Sequence, residues 1–318
     1  RQMIEETKNY VEEHFPGAKV RYGDSVMPGT PVLVRKNGHM SIERIENLGQ
    51  DWNDYPGFMK QGTDKEESDV QADAWTHEGW KPIKRVIRHK CQKQIWRVLT
   101  HTGLVDVTED HSLLDEHLNL VKPGQLMIGQ SLYHMCPDVS LEQCTYTADE
   151  LFVFGMFVGD GSCGLYDCPS GKKASWAINN QCTAVLERCK TILERSNPDM
   201  KFVIMDTLAS SGVYKLSPRG NVRRLVEKWR HLCYDGNAKK IPEFAFGHPA
   251  FLEGLWASDG CRRDNEVGGC HRIDTKNQVT AQWYYMYLMS LGYKVSLNTR
   301  SDKPNIFRLT FTTSSFRK

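Results

Sequence analysis

The pattern of apolar and polar residues changes character twice along the chain. Residues 1–24 begin with a rough helical stripe of apolar side chains, which Pro16-Gly17 ends. The strand-like run AKVRYGD follows and closes in an acidic turn at Asp24. A segment this short buries no core of its own. We therefore interpret it as a fragment of something larger.

Residues 25 to about 147 have the pattern of a β protein. Short runs rich in β-branched residues alternate with Asn-Gly, His-Glu-Gly and Thr-Gly turns. These runs are PVLVR, HMSIERI, KPIKRVIRH, IWRVLTH and GLVDVTE. Between them, residues 49–74 are polar and rich in turn residues, and this composition predicts a long surface loop.

From Thr147 onward, helical patterns alternate with strand patterns. Residues 179–196 and 276–292 are helix-like, and two strand-like runs follow each of them. The first pair of runs is FVIMD and VYKLS, and the second pair is KVSLN and FRLTF. The same order occurring twice indicates an internal duplication with a period of about 100 residues.

Each repeat opens with a helix that ends in Asp-Gly. The first is TADELFVFGMFVGDGS (147–162), where Thr and Glu three residues apart form a capping box. The second is HPAFLEGLWASDGC (248–261), where Pro suits the first helical position. Small residues recur four apart, at Gly155/Gly159 and Gly254/Ser258, and leave a smooth face for a second backbone.

Packing these two helices side by side would bring Asp160 and Asp259 together. Two carboxylates there repel each other and also meet the negative ends of both helix dipoles. Divalent cations relieve that cost, and carboxylate oxygens suit Mg²⁺. The pattern therefore predicts a metal-dependent phosphodiester cleavage site, with Asp160 and Asp259 as metal ligands. The alternative is two buried helices with acidic ends, but two at matching places of a duplication favour the site.

Composition excludes several classes of protein. The chain has 318 residues, of which 40% are hydrophobic, so packed cores and two domains are expected. The longest apolar run, 151–158, is far shorter than the ~20 residues of a membrane span. The first residues contain no apolar signal core, so we expect an intracellular protein, located in the cytoplasm or the nucleus. In one interpretation the protein is encoded by a virus. The ten cysteines form no CxxC pair; Cys261, Cys270 and His271 are a weak zinc alternative.

Charge is distributed unevenly. Residues 1–147 carry 17 Lys and Arg against 22 Asp and Glu, a net charge of −5. Residues 148–318 carry 24 against 17, a net charge of +7. The second part is therefore the better candidate for binding a polyanion.

The motifs FGMFVGDGS and LEGLWASDG resemble the paired LAGLIDADG motifs of homing endonucleases. This resemblance covers residues 147–318 and implies an αββαββα fold whose strands straddle double-stranded DNA. It also implies Mg²⁺ at Asp160 and Asp259, each supporting cleavage of one strand. The endonuclease would act as a monomer.

The stretch KKIPEFAF (239–246) resembles the lysine-bearing block between the two motifs in intein-borne members. The resemblance assigns a catalytic lysine to Lys240, with Lys239 as the second choice. A solvated lysine pair is the alternative. A second active-site lysine is expected late in the other repeat, where Lys303 is a weak candidate and residues beyond Lys318 are the alternative.

The middle segment resembles the Hint fold of inteins. The resemblance rests on SVMPGTPVLVR at a new strand start, on AWTHEGWKPIKRVIRHK, and on the T-x-x-H of GLVDVTEDHSLLD. It implies an acyl shift from the Asp24 amide to the side chain of Ser25, with His111 as proton donor and Thr108 acting on the amide. Most inteins begin with Cys, so Ser25 is either a natural variant or a substitution that blocks splicing.

The stretch FPGAKVRYGD resembles the strand leading into the catalytic turn of family B DNA polymerases. Residues 1–24 would then be the N-extein, residues 25–146 the all-β Hint splicing domain, and residues 147–318 the α+β LAGLIDADG domain. The closing His-Asn pair of inteins is absent from FTTSSFRK, so splicing is expected to be incomplete. Either a C-terminal intein fragment completes the module or further residues follow.

The combined prediction is an intein that also cuts the intein-free polymerase gene, so that repair copies the element into it. The main rival is a splicing module whose endonuclease part is an inactive DNA-binding remnant. A polymerase fragment would need far more than 24 polymerase residues. A Hedgehog-like autoprocessing protein would use the β module without acidic helices.

Overall fold

A computed structural model describes residues 25–56, 64–137, 144–169, 171–262, 270–300 and 302–312. The expectations for residues 1–24, including Asp24, lie outside these residues. The side chains of Cys261 and Cys270 also lie outside them, so the zinc alternative stays a prediction.

The described residues up to 137 form short antiparallel strands. A four-stranded sheet has the order β2-β1-β5-β6, a three-stranded sheet has the order β3-β4-β7, and β8-β9 and β10-β11 form two-stranded pairs. The strands are β1 (Pro31–Lys36), β2 (His39–Arg44), β3 (Asn53–Asp54), β4 (Lys65–Asp69), β5 (Asp73–Thr76), β6 (Gly79–Pro82), β7 (Arg85–His89), β8 (Ile95–Leu99), β9 (Leu104–Thr108), β10 (Leu113–Leu114) and β11 (Leu120–Val121).

The prediction of a loop over residues 49–74 is wrong for its second half. Strand β4 lies inside it and pairs with β7, whose residues Arg85 and Arg88 face acidic partners. Arg85 binds Glu67 at 2.6 Å and Arg88 binds Glu66 at 2.6 Å. Cross-strand ion pairs replace apolar alternation here, and a pattern search for apolar residues misses such a strand.

The described residues from 144 onward alternate helices with strands. The helices are α1 (Ala148–Asp160), α2 (Thr183–Ser196), α3 (Leu208–Ser211), α4 (Arg223–Cys233), α5 (Pro249–Asp259) and α6 (Gln278–Ser290). The strands are β12 (Gly161–Cys168), β13 (Gly171–Asn180), β14 (Phe202–Asp206), β15 (Tyr214–Pro218), β16 (Tyr234–Asp235), β17 (Ala238–Lys239), β18 (Cys261–Arg262), β19 (Cys270–Thr275), β20 (Lys294–Thr299) and β21 (Phe307–Thr312).

Two four-stranded sheets repeat the same topology. Their orders are β12-β13-β15-β14 and β18-β19-β21-β20, and every pairing in them is antiparallel. In each repeat a helix ends at the Asp-Gly and leads into the first strand. The duplication predicted from the sequence is thus present in the order of strands.

The chain divides into two compact units. Of the described residues, one unit comprises residues 25–27 with Gln92–Val98 and Val105–Tyr133, and the other comprises those within Pro28–Cys91, Leu99–Leu104 and from His134 onward. The second unit holds a large core built on α1, α5 and α6, in which Trp176, Trp283 and Tyr287 are fully buried.

The described chain is therefore a mixed α/β protein with small antiparallel sheets. The boundaries at 24/25 and 146/147 and the Hint assignment stay predictions. In the part of the chain that is described, no helix is both long and apolar enough to cross a bilayer.

Candidate functional site

Helices α1 and α5 pack with their backbones in direct contact. A Cβ atom on Gly155 would lie 2.0 Å from the Phe251 carbonyl oxygen. A Cβ atom on Gly254 would lie 1.9 Å from the Phe152 carbonyl oxygen. No side chain fits at either position, so glycine is what lets the two helices approach this closely. The smooth face predicted from the small residues is confirmed.

The same contact continues to the ends of both helices. A Cβ on Gly159 would lie 1.8 Å from Ser258 Oγ and 3.4 Å from Asp259 Oδ2. Asp160 is the next residue of α1, so both acidic residues lie at one end of the helix pair. Asn180, the last residue of β13, donates a hydrogen bond to Asp160 Oδ2 at 2.7 Å and another to the Ala257 carbonyl oxygen at 3.3 Å.

The protein surroundings make ionisation of the Asp160 and Asp259 carboxylates energetically unfavourable. The pKa of Asp160 is raised to about 6, chiefly by burial and in part by the charge of Asp259, against the lowering effects of the Asn180 hydrogen bond and of Lys239. Burial also raises the pKa of Asp259, against the lowering effect of Lys239. Asp259 as a residue is exposed at the surface, yet protein surrounds its carboxylate closely enough for this shift. Burial is thus the main cause of the raised pKa in both groups, and the charge of Asp259 adds to it at Asp160.

Lys239 is the basic group at this site. Its ammonium donates hydrogen bonds to the carbonyl oxygens of Phe157 at 3.0 Å and Gly159 at 2.9 Å. A cation here stabilises the negative end of the α1 dipole. Burial lowers the pKa of Lys239 to about 8, although the carboxylates of Asp259 and Asp160 act in the opposite direction.

A short hairpin positions Lys239. Strands β16 and β17 pair across a two-residue turn in which Gly236 has a φ of 55°. Thr280 Oγ1 donates to the Lys239 carbonyl oxygen at 2.8 Å and fixes β17 against α6. Lys240, the next residue, instead forms an ion pair with Asp235 at 3.3 Å.

The structure therefore brings Lys239, and not Lys240, to the two carboxylates. Lys303 is exposed in the connection between β20 and β21, where its backbone bonds to Arg300 and Ile306. The sequence prediction placed Lys240 first, and it did not include Asn180 at all. Consecutive residues of an extended strand point to opposite sides, so only the position of the hairpin decides between the two lysines.

The donor set fits a hard divalent cation. Asp160 and Asp259 supply carboxylate oxygens, and both pKa shifts show that nearby positive charge would be favourable. Among the described residues, no three His, Cys, Asp or Glu side chains form a metal-binding group. A cation at this place would therefore complete its coordination with water, backbone oxygens or a phosphate.

Two of the three predicted splicing residues, Ser25 and Thr108, are in contact within the first unit. Val26 and Val107 form an antiparallel bridge, which sets Ser25 beside the end of β9. The Thr108 N–H donates to the Ser25 carbonyl oxygen at 3.0 Å, and Thr108 Oγ1 lies 3.3 Å from the same oxygen. Thr108 is buried, and its own carbonyl oxygen accepts from the His111 N–H at 2.9 Å.

Known proteins similar to this chain are DNA polymerases by sequence and homing endonucleases by structure. No family model matches the chain. The DNA polymerase of Acanthamoeba polyphaga mimivirus is 44% identical over 332 residues, which is 100% of this chain and 19% of the polymerase. The DNA polymerase of Thermococcus hydrothermalis is 32% identical over 294 residues, covering 82% of this chain and 16% of the polymerase.

The solved structures it resembles are homing endonucleases. I-DmoI in complex with DNA and Mn has 15% identity and a TM-score of 0.36, covering 52% of this chain and 89% of I-DmoI. The LAGLIDADG meganuclease I-AabMI bound to uncleaved DNA has 12% identity and a TM-score of 0.34, covering 52% and 79%.

The match to the mimivirus polymerase confirms the resemblance to a DNA polymerase recognised in the sequence. The chain spans less than a fifth of the length of the DNA polymerases it matches. The solved neighbours are LAGLIDADG homing endonucleases. The relative matched along the full length of this chain is the mimivirus DNA polymerase.

Proposed function

We propose that the part of the chain from residue 147 onward is a metal-dependent DNA endonuclease of the homing type. The observation that carries this proposal is the glycine-mediated contact of α1 and α5, which ends in Asp160 and Asp259. Burying two like charges side by side costs stability, and a protein gains from it only where a cation or a substrate uses them. Each repeat supplies one carboxylate, so a single copy of the chain holds both carboxylates of the site.

The residues of this site divide the chemistry between them. Asp160 and Asp259 would hold Mg²⁺, which when bound supplies charge neutralisation and Lewis acidity at a phosphodiester. Asn180 fixes the orientation of the Asp160 carboxylate through its 2.7 Å hydrogen bond. Lys239 would stabilise negative charge on the phosphate or position the attacking water, since its buried ammonium has a fixed location.

The two repeated sheets are the proposed DNA-binding surface. In the second sheet, Leu309 is buried while Arg308 on the other face binds Asp274 through two hydrogen bonds of 2.9 Å. The first sheet carries exposed Lys172 and Lys173 on β13. Arg308 is neutralised by Asp274, so the exposed lysines of the first sheet are the groups that support phosphate contacts, and DNA bending would add sequence selectivity.

Splicing chemistry is the second part of the proposal, and the contacts between Ser25 and Thr108 support it. Ser25 Oγ attacks the Asp24 carbonyl carbon, so that a C–O bond forms and the C–N bond to Ser25 breaks. The hydroxyl proton passes to the leaving nitrogen, which makes an ester and a free amine. His111 would carry this proton, and Thr108 would act on the scissile amide.

The experiment for the endonuclease is cleavage of a plasmid that carries the uninterrupted polymerase gene junction. We expect cleavage with Mg²⁺ and none with EDTA. A plasmid whose junction is interrupted by the coding sequence of this chain is the matched control and should stay intact. Binding without cleavage by the folded protein would instead favour a DNA-binding remnant beside the splicing module.

A further inference from the structure

Two residues occupy equivalent positions in the two repeats but differ in type. Asn180 is the last residue of β13 and pairs with Tyr214, the first residue of β15. Thr275 is the last residue of β19 and pairs with Phe307, the first residue of β21. Because the two sheets have the same strand order, Asn180 and Thr275 are counterparts.

Each polar atom of the Asn180 amide has a partner. Its Nδ2 donates to Asp160 Oδ2 at 2.7 Å and to the Ala257 carbonyl oxygen of α5 at 3.3 Å. Its Oδ1 accepts the Cys182 N–H at 2.8 Å. These three hydrogen bonds fix the plane of the amide, and the amide in turn fixes the direction of the Asp160 carboxylate.

Thr275 makes no corresponding contact with the acidic residue of its own repeat. Its Oγ1 accepts the Asn277 N–H at 3.3 Å, which repeats the turn made by Asn180 Oδ1. The threonine side chain is one bond shorter than that of asparagine and carries no amide to donate. Among the residues that the structure describes, no side chain donates a hydrogen bond to the Asp259 carboxylate.

Lys239 does not compensate for this difference. Its ammonium donates to the carbonyl oxygens of Phe157 and Gly159, which lie at the end of α1. Its charge acts on the carboxylates of both Asp259 and Asp160, but charge without a hydrogen bond fixes the direction of neither. The described residues therefore orient the carboxylate of the first repeat and not that of the second.

We propose that the two halves of the site act in order, so that the DNA strand served by Asp160 is cut before the strand served by Asp259. A carboxylate already held in one direction has less freedom to lose when a cation and a phosphate bind beside it. On each strand, water adds to phosphorus, one P–O bond to a deoxyribose breaks, and the leaving oxygen takes up a proton that the water gives up. The half without an oriented carboxylate reacts more slowly, so a duplex nicked in one strand accumulates. This inference rests on the proposed endonuclease function.

The test is single-turnover cleavage, with Mg²⁺, of a junction duplex labelled differently on its two strands. In the unmodified chain we expect one strand to be cut about tenfold faster than the other, the effect of one hydrogen bond to a charged group. Asn305→Thr makes the same exchange at an exposed residue between β20 and β21, and it should leave this ratio unchanged.

Exchanging the two residues separates this role from a general effect on the site. Asn180→Thr should slow the faster strand about tenfold and leave the slower strand nearly unchanged, because only Asp160 loses its hydrogen bond. Thr275→Asn should speed cleavage of the slower strand. The double variant, Asn180→Thr with Thr275→Asn, should reverse the order in which the strands are cut.

Metal binding tests the same contact without cleavage. Titration of the DNA-free chain with Mn²⁺, followed by electron paramagnetic resonance, measures binding of the metal alone. Loss of a group that orients a metal ligand weakens binding about 10–100-fold, so Asn180→Thr should weaken Mn²⁺ binding by roughly that factor, whereas Asn305→Thr should not. Denaturant unfolding verifies that each variant is folded.

Two kinds of result would contradict the inference, and they can be told apart. Equal cleavage rates on both strands, equal losses on both strands in Asn180→Thr, or unchanged Mn²⁺ binding in that variant would overturn the ordered action and leave the proposed endonuclease in place. Absence of Mg²⁺-dependent cleavage by the folded, unmodified chain would overturn the proposed endonuclease and this inference with it.

Discussion

At the scale of single residues, two consecutive lysines meet different partners. Lys239 lies at the end of α1 beside the acidic pair, whereas Lys240 is bound to Asp235. The carboxylates could be predicted from the sequence because they repeat at matching places of a duplication. The lysine and Asn180 could not be assigned in the same way, since their positions depend on where a hairpin and a strand end.

Replacing each of the two lysines by methionine tests the assignment of Lys239 to the acidic pair. Lys239→Met should lower the cleavage rate about 100-fold, the usual cost of losing one fixed electrostatic group at a reacting phosphate. Lys240→Met, its neighbour, should change the rate little because it removes only a half-buried ion pair. Single-turnover cleavage with both variants measures this, and equal losses would contradict the assignment.

The acidic pair also predicts a stability effect in the absence of metal. The pKa of Asp160 is raised from 3.8 to about 6, so the folded chain binds more protons than the unfolded chain between these values. Stability therefore falls as pH rises through that window, and the loss is complete above pH 6. Asp160→Asn should increase the free energy of unfolding by roughly 1–2 kcal/mol at neutral pH, after allowance for solvent screening.

Thermal unfolding in EDTA at a series of pH values measures this effect. The gain from Asp160→Asn should shrink as the pH is lowered from 7.5 toward 4, because the carboxylate of the unmodified chain becomes protonated. Asp199→Asn, which changes an exposed carboxylate, is the control and should give no gain. A loss of stability in Asp160→Asn at neutral pH would contradict the electrostatic account.

At the scale of elements, capping and packing signals predicted α1, α2, α5 and α6, but not the eleven-residue helix α4. The capping box of Thr147 and Glu150 is present, with hydrogen bonds of 3.3 and 2.9 Å, and α1 starts directly after it. The strands β14, β15, β20 and β21 also form where apolar runs predict them. Strand β4 could not be found in this way because its sequence KEESD has no apolar residue, and its pairing with β7 rests on the backbone ladder with ion pairs at Glu66 and Glu67.

The close contact between α1 and α5 predicts that adding even one methyl group at Gly155 or Gly254 destabilises the protein. Gly155→Ala and Gly254→Ala each place a methyl group about 2 Å from a backbone oxygen, so the helices must separate. We expect each to lower the free energy of unfolding by roughly 2–3 kcal/mol and to abolish cleavage. Gly29→Ala, where nothing lies within 4 Å, is the control. Denaturant unfolding measures the loss.

At the scale of the whole molecule, the proposal gives one chain two sites with separate chemistry. The proposed Ser25 site would use hydroxyl, imidazole and backbone groups, whereas the proposed Asp160–Asp259 site would use paired carboxylates. Changes at one site should therefore leave the other active. Net charge is uneven along the chain, and residues 148–318, with a net charge of +7, are the part expected to bind DNA.

Salt dependence tests that expectation. The logarithm of the DNA association constant should fall linearly with the logarithm of salt concentration, because phosphate contacts release counterions. A double variant, Asp160→Asn with Asp259→Asn, should keep the same slope, since it changes no basic residue. Fluorescence anisotropy with a duplex of the polymerase junction measures both. Binding that is insensitive to salt would contradict a phosphate-based interface.

In the proposed endonuclease, the two helix ends form one site in which each carboxylate supports cleavage of one DNA strand. The most direct measurement is strand-resolved cleavage of a duplex labelled differently on its two strands, with Mg²⁺ and the single variants Asp160→Asn and Asp259→Asn. We expect double-strand cleavage by the unmodified chain. Each variant should lose more cleavage on one strand than on the other, and the more affected strand should differ between the two variants. Full cleavage of both strands by either variant, or no cleavage by the unmodified chain, would contradict this proposal.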